Sequence, residues 1–434
     1  MKVSRLSGLL AVALLSLGLT GCGDTFRPVV NPIVSPLPDP ATHGLAVTVN
    51  TAGSTTCVGG VTPPCPAGSV TQINVTGDSP APNPQAGGFG IDPVHAIFVP
   101  SGLNTFARVV MANKGSDNVS VYSPDSTAPA SLISMGAGAA PVFVASTPDG
   151  SKVYVANSGN GTVGVITPLT IPPVLAGTIT VGGSPRVLAV TPDGTKVYVA
   201  NADGSATVIA TATNAVGTPF SAPAGTVAPA WAVANSAGTA IYVLYPTAGK
   251  LDVIDLTVNP NAFSPTELTV DTGSNYMAFD GNMQRLYVNG TAGVYVFDTH
   301  TPVPTALSTV SLPAAQPAVS LTALPNGTSV YVATNATTGC NNGEANSGRA
   351  YVINASSLAT PTTCVTVGAN PVWMASSFNS QKVYVAHQGT NPGTTIISGT
   401  TPVTDLPSPF TDPACDPGTA TCFRESPVFV MANP

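Results

Sequence analysis

The chain has 434 residues, of which 13 are Lys or Arg and 20 are Asp or Glu, giving a net charge of −7. Only 8% of residues are charged, against about 25% in an ordinary soluble domain, and the acidic balance with scattered basic residues excludes a nucleic-acid-binding surface. Gly and Pro number 43 each; together they stay below the ~25–30% that marks low-complexity sequence, so the composition fits a folded chain with many turns.

At the N-terminus, Lys2 and Arg5 precede an almost wholly apolar run over residues 6–19. That run is shorter than the roughly 20 residues a spanning helix needs and fits the apolar core of a secretory signal. It ends in Leu19-Thr20-Gly21-Cys22, which resembles the lipobox of bacterial lipoproteins. The resemblance implies cleavage before Cys22 and lipidation of its thiol, making residues 1–21 a signal peptide and tying the chain to a membrane. Residues 22–43 then form the lipidated Cys and a tether punctuated by Pro28, Pro32, Pro36, Pro38 and Pro40. Fully extended at ~3.1 Å per residue, such a tether reaches roughly 50 Å or more. Gly23 follows the Cys, with Asp24 one place later; by the same resemblance this points to the outer membrane.

Seven cysteines leave one over in an exported chain. With Cys22 set aside, the other six group as near neighbours, which predicts disulfides Cys57–Cys65, Cys340–Cys364 and Cys415–Cys422. Each closes a short loop, contributing about 2–3.5 kcal/mol in the chain-entropy model. No CxxC or CxxCH occurs, so disulfides are favoured over a metal cluster, and no metal site is expected.

Beyond residue 44 the chain repeats itself. PDGSKVYVAN ends at Asn157 and PDGTKVYVAN at Asn201; the tyrosine slot recurs at Tyr154, Tyr198, Tyr242, Tyr287, Tyr331 and Tyr384, with Val110 in the earliest copy. The intervals are 44, 44, 44, 45, 44 and 53 residues. In the cleanest copy, residues 186–190, 196–200 and 206–210 are alternating runs separated by tight turns, with a fourth run near residue 225. Four antiparallel strands per ~44 residues, in tandem and without helical periodicity, predict an all-β fold, a single β-propeller over residues 44–434. KVYVAN at 152–157 and 196–201, KVYVAH at 382–387 and the PDG turns resemble the YVTN repeat family of exported and surface-layer propellers. That resemblance extends in weaker form over roughly residues 94–410 and implies a fold far more than a function.

The last residues, PVFVMANP at 427–434, match PVFVASTP at 141–148 in six of eight places. The chain therefore ends after one strand of a new repeat, while the runs at 45–50 and 70–75 lack a first strand. The two ends are expected to complete one blade together, giving eight four-stranded blades; seven is the alternative.

The slot after the YVA run holds Asn113, Asn157, Asn201, Tyr245, Gly290, Thr334 and His387. A ring of such polar groups could hydrogen-bond a sugar or a peptide; Asn equally suits left-handed turn geometry. Arg186, in Ser184-Pro185-Arg186-Val187, resembles the lactonase-type propeller pattern in which Pro-Arg-His enters an inner strand. Here Val187 stands in the His place and no other copy carries Arg there, which weakens a hydrolase reading, because lactone opening needs a general base or activated water. Arg186, Asn113, Asn157, Asn201, Tyr245 and His387 form the candidate ligand face. Phe143, Trp231, Tyr276, Trp373 and Phe429 share another slot, readable as a sugar platform or as packing between blades. No nucleophile elbow, P-loop or dinucleotide fingerprint occurs, so no catalytic set and no cofactor are expected. The expected role is a lipid-anchored binding or scaffold module for a protein or glycan of the cell envelope. The alternatives are a lactonase-like or quinoprotein-like enzyme working through the central channel, or a purely structural envelope protein.

Overall fold

A computed structural model describes residues 45–51, 68–74, 78–80, 89–101, 105–124, 128–282, 284–313, 316–335, 340, 347–377, 379–389, 391–407 and 426–432. These form eight antiparallel sheets in a ring, numbered here as blades 1 to 8 in chain order. Cys22, Cys57, Cys65, Cys415 and Cys422 lie outside the described residues. Among the described residues no helix is long and apolar enough to cross a membrane.

Blade 4 shows how the repeat builds a sheet. Its inner strand Pro185–Val190 pairs with Lys196–Asn201, which pairs with Ser205–Ala210. The outer strand is broken into Ala215–Val216 and Phe220–Ser221. The first hairpin is shaped by Thr191, whose hydroxyl donates to Asp193 Oδ1 at 2.5 Å, while the Thr195 amide donates to the same oxygen at 3.0 Å. Gly194 takes the left-handed conformation (φ 69°) that this turn needs. Burial raises the Asp193 carboxyl, but hydrogen bonds from Thr191 and Thr195 more than offset it, and it sits below its ordinary value. Thr147, Asp149 and Gly150 repeat the arrangement in blade 3. The PDG aspartates are turn formers.

The recurring tyrosine joins neighbouring blades. Its ring is buried on the second strand, and in blades 3, 4, 5 and 7 its hydroxyl reaches the outer turn of the next blade, whereas those of Tyr287 and Tyr384 make no such bond. Tyr154 donates to Asn214 Oδ1, Tyr198 to the Pro260 carbonyl and Tyr242 to the Pro302 carbonyl, each at 3.1 Å; Tyr331 donates to the Gly399 carbonyl at 2.5 Å. Lys152 and Arg285, at the head of the same strand in their blades, donate to the Thr211 and Ala355 carbonyls in the same sense. The 44-residue period thus repeats a sheet in every blade and, in blades 3, 4, 5 and 7, the tyrosine clamp that holds it to the next.

Blade 1 is made from both chain ends. The C-terminal strand Ser426–Ala432 is its inner strand and pairs antiparallel with Leu45–Thr51, with Val49 opposite Phe429 and Val47 opposite Met431. Ser69–Asn74 and Ser79–Pro80 complete the sheet. Eight blades, one of them split, is the expected arrangement. The seam to blade 8 is held by the Lys382–Asp78 ion pair, a buried Thr48–Thr394 hydroxyl pair at 2.6 Å, and Gln388 Nε2 donating to the Pro427 carbonyl at 2.6 Å. In blade 7, Cys340 and Cys364 stand as a disulfide with Cα atoms 5.7 Å apart. It ties the extra loop of that repeat to the outer strand Thr363–Gly368.

Ending the chain before Ser426 removes Phe429, Val430 and Met431 from the core and strips blade 1 of its inner strand. The truncated chain should lose the cooperative thermal transition of the full chain by circular dichroism; an equally sharp transition at the same temperature would contradict ring closure by this strand. Tyr242→Phe should lower stability by only about 0.5–1.5 kcal/mol, the net contribution of one hydrogen bond.

Candidate functional site

The aromatic slot lies at the axis of the ring. Each inner strand enters with a Pro or its equivalent and projects the residue two places on. These are Phe429, His95, Phe143, Val187, Trp231, Tyr276, Ser320 and Trp373 in blades 1 to 8. The six rings touch one another. His95 stacks on Phe143 with centroids 4.0 Å apart and lies 5.1 Å from Phe429. Trp231 meets Phe143 at 5.3 Å, Tyr276 at 4.7 Å and Trp373 at 5.4 Å; Trp373 meets Tyr276 at 4.5 Å and Phe429 at 4.4 Å. Trp231 of blade 5 also lies 5.7 Å from His95 of blade 2. Contacts between blades three apart mean that the rings meet across the axis and fill it. One pair is stacked and the others are tilted or edge-to-face, so the rings cover one another's faces and this layer is a plug. All but Trp373 are buried.

His95 belongs to this layer although its type hides it from an aromatic pattern. Its Nδ1 accepts the Val144 amide hydrogen at 3.4 Å, leaving the proton on Nε2, which has no partner. Burial pushes its pKa down to about 3, so the imidazole is neutral at ordinary pH. It acts here as a ring among rings.

The candidate ligand face is more divided. Asn113, Asn157, Asn201, Tyr245 and His387 occupy equivalent places at the end of the second strand in blades 2, 3, 4, 5 and 8, and all are buried. Asn113 donates to Asn118 Oδ1 and Ser120 Oγ, both at 2.8 Å; Asn157 donates to Thr162 Oγ1 at 3.1 Å, and Asn201 to Ser205 Oγ at 2.9 Å. Each amide therefore braces the turn of its own blade. None of the three has a left-handed backbone; Asn is present for its side-chain donor, not for turn conformation. Asn50 fills the slot in blade 1, donating to Ser69 Oγ and Thr71 Oγ1. Arg186 is exposed at the start of the blade 4 inner strand, at the same end of the disc as His387 and four blades away from it.

His387 Nε2 stands 2.7 Å from Asp405 Oδ1, and Thr395 Oγ1 donates to the same oxygen at 3.2 Å while accepting the Gly368 amide at 2.9 Å. The arrangement links the second, third and outer strands of blade 8. Among the described residues, no three His, Cys, Asp or Glu side chains converge as a metal-ligand set.

One titratable group was not anticipated. Asp252 sits mid-strand in blade 5, fully buried, with neither carboxylate oxygen in a well-formed hydrogen bond. Ser120, Gly164 and Thr207 hold the same place in the three preceding blades. Burial first, and the nearby Glu267 second, raise its pKa to about 6, against partial relief from the Thr226 hydroxyl and Lys250. The Tyr245 hydroxyl beside it is buried without a partner, and its pKa is raised by burial and by Asp252 and Asp203. The sequence signal was an acid inside the apolar alternation Leu251-Asp252-Val253.

No known protein-family profile matches the chain, and no curated protein matches it. Solved structures do. A functionally unknown protein from Desulfotomaculum acetoxidans DSM 771 is similar at 15% identity and a TM-score of 0.52, over 68% of this chain and 94% of that one. Dihydro-heme d1 dehydrogenase NirN, solved in complex with DHE, is similar at 15% identity and a TM-score of 0.53, over 74% of this chain and 68% of that one.

A raised folded-state pKa at Asp252 means that its stabilising protonated form is fully present below about pH 4 and is lost as pH rises through 6. Asp252→Asn should therefore stabilise the protein at pH 8 by on the order of 2–3 kcal/mol and leave it unchanged near pH 4. His95 works the other way: its depressed pKa gives stability that is present above pH 6.5 and falls away toward pH 3. With Asp252 replaced, denaturant melts between pH 6 and 4 should show the steeper acid loss that His95 alone imposes. Equal pH profiles for the two proteins would refute this. Both tryptophans sit in the plug, so intrinsic fluorescence reports on that layer.

Proposed function

We propose that this chain is a lipid-anchored, exported propeller with YVTN-type repeats, acting as a non-catalytic binding or scaffold module for a protein or glycan of the cell envelope. The observation that carries the reading is the filled axis. Propeller enzymes that work through a central channel need it open to substrate, whereas here six rings from six blades close it. The one imidazole in that layer is neutral and stacked. What the fold offers to a partner is its outer surface, on a disc stiffened by clamps between blades. The lipobox-like Leu19-Thr20-Gly21-Cys22 and the Pro-rich tether support placement of this disc at a membrane, with the outer membrane favoured by Gly23.

Two measurements test the reading. Labelling with a radioactive fatty acid should mark the exported chain and vanish in Cys22→Ser. The exported chain should also retain a specific protein or glycan from envelope extract, identified by mass spectrometry. Retention of nothing, together with turnover of a panel of lactones, would overturn the binding role in favour of an enzyme.

A further inference from the structure

The inner strands share a second regular feature at the mouth of the axis. In blades 1, 2, 3, 4, 7 and 8 the residue between the entry residue and the axial residue has no partner on the second strand, because the register slips there by one place. Such a bulge releases its extra residue from the ladder and re-aims the side chain. Burial follows the same order in all eight blades. The entry residue is buried, the residue after it is half-buried or exposed, and the axial residue, Trp373 excepted, is buried again. The eight intervening residues therefore stand directly before the plug and form the accessible rim above it.

That rim is almost wholly apolar. Val428, Val94, Val142, Val319 and Val372 supply it in blades 1, 2, 3, 7 and 8, and Ala230 in blade 5. Trp373, the one half-buried ring of the plug, adds aromatic surface to the floor. Two polar residues interrupt the rim. Arg186 of blade 4 is exposed, and among the described residues no carboxylate pairs with its guanidinium. Asn275 of blade 6 is also exposed; its Oδ1 accepts from Asn289 Nδ2 at 2.9 Å, which turns the donor end of its amide away from that contact. Acids in nearby turns are engaged locally: Asp117 by the Gly138 and Ala140 amides, Asp203 by Ser205, and Asp271 by Thr291, Ala292 and Tyr295. An unpaired cation on a rim of hydrocarbon is complementary to an anion with an apolar body.

We infer that this mouth binds a small carboxylic acid with a hydrocarbon body. The carboxylate takes the two parallel N–H bonds that a guanidinium offers, and the body lies across the valines and Trp373. Neutral and cationic molecules of the same shape lack the first contact. The plug beneath stays closed, so the ligand sits over the axis without entering it. The inference does not depend on the anchor or on the envelope partner proposed above.

The test uses the full chain carrying Cys22→Ser in detergent-free buffer, with octanoate, octanol and octylammonium as probes below micelle-forming concentrations. Octanoate should bind saturably by calorimetry, change the tryptophan fluorescence of the plug, and bind about tenfold more tightly than either control. Arg186→Gln should weaken octanoate binding about tenfold and leave octanol unchanged, with Arg186→Lys intermediate. Because Arg186 is exposed, neither variant should alter thermal unfolding. A folded Ala230→Glu chain, which supplies a carboxylate from the neighbouring blade, should also lose octanoate. Octanoate that does not bind, binds no better than octanol, or binds Arg186→Gln equally well overturns the inference. Retention of an envelope protein or glycan without octanoate binding would sink this inference alone. Octanoate binding without such retention would support it and remove the envelope partner instead.

Discussion

The pairing of Ser426–Ala432 with Leu45–Thr51 is the constraint on which the rest of the structure depends. A propeller blade cannot bury both its faces alone; each sheet needs a neighbour on either side, and only a closed ring supplies one to every blade. Here the last neighbour is assembled from the two most distant parts of the chain. The inner strand of blade 1 follows all the other described strands in sequence and brings Phe429, which touches Trp373 of blade 8 and His95 of blade 2. Closure of the ring and completion of the axial plug are therefore one event. The ion pair Lys382–Asp78 and the Thr48–Thr394 contact seal the seam from its outer and inner parts.

Filling the axis with rings has consequences for chemistry. Aromatic side chains stabilise the ring by burial, with perhaps ~0.5–1.5 kcal/mol more from each well-oriented pair. The same packing excludes water from His95 and holds it neutral. Asp252 lies in the opposite situation: an acid at a place where neighbouring blades use a hydroxyl or no side chain, with only partial relief of its charge from Thr226 and Lys250. One group loses stability in acid and the other gains it, so between pH 4 and 6 their effects on the fold oppose one another. The buried polar ring of Asn113, Asn157 and Asn201 carries no net charge and serves the turns. The interior is thus committed to holding the disc together.

The repeat made the architecture readable before the structure. Tyr154, Tyr198 and Tyr242 at 44-residue spacing mark the second strand, and the match between 427–434 and 141–148 marks the split blade. What periodicity cannot carry is direction in space. A slot occupied by Asn in three repeats has the same pattern whether its amides face solvent or brace a turn; burial and the 2.8–3.1 Å bonds decide for the turn. The aromatic slot likewise signalled packing, but contact across the axis arises only when eight inner strands converge, and no single repeat contains that geometry. His95 and Asp252 were obscured for a related reason. Each departs from its repeat in one copy only, and a departure gains meaning when its neighbours in adjoining blades are known.

Low charge bears on the outer surface as well. With 8% of residues charged, this protein cannot guard eight sheet edges with lysines, the device many β proteins use. It shortens the outer strands of blades 2, 4 and 5, bonds a loop over that of blade 7, interrupts that of blade 8 with proline and acid, and bulges those of blades 3 and 6 at Ala176 and Leu307. The means differ from blade to blade although the inner three strands hardly vary, which separates what the ring requires from what the surface requires. Inner strands answer to one shared geometry. Outer strands answer only to what lies beside them, and even a long uncharged one, Val174–Thr180, is broken by a bulge at Ala176 that interrupts its ladder.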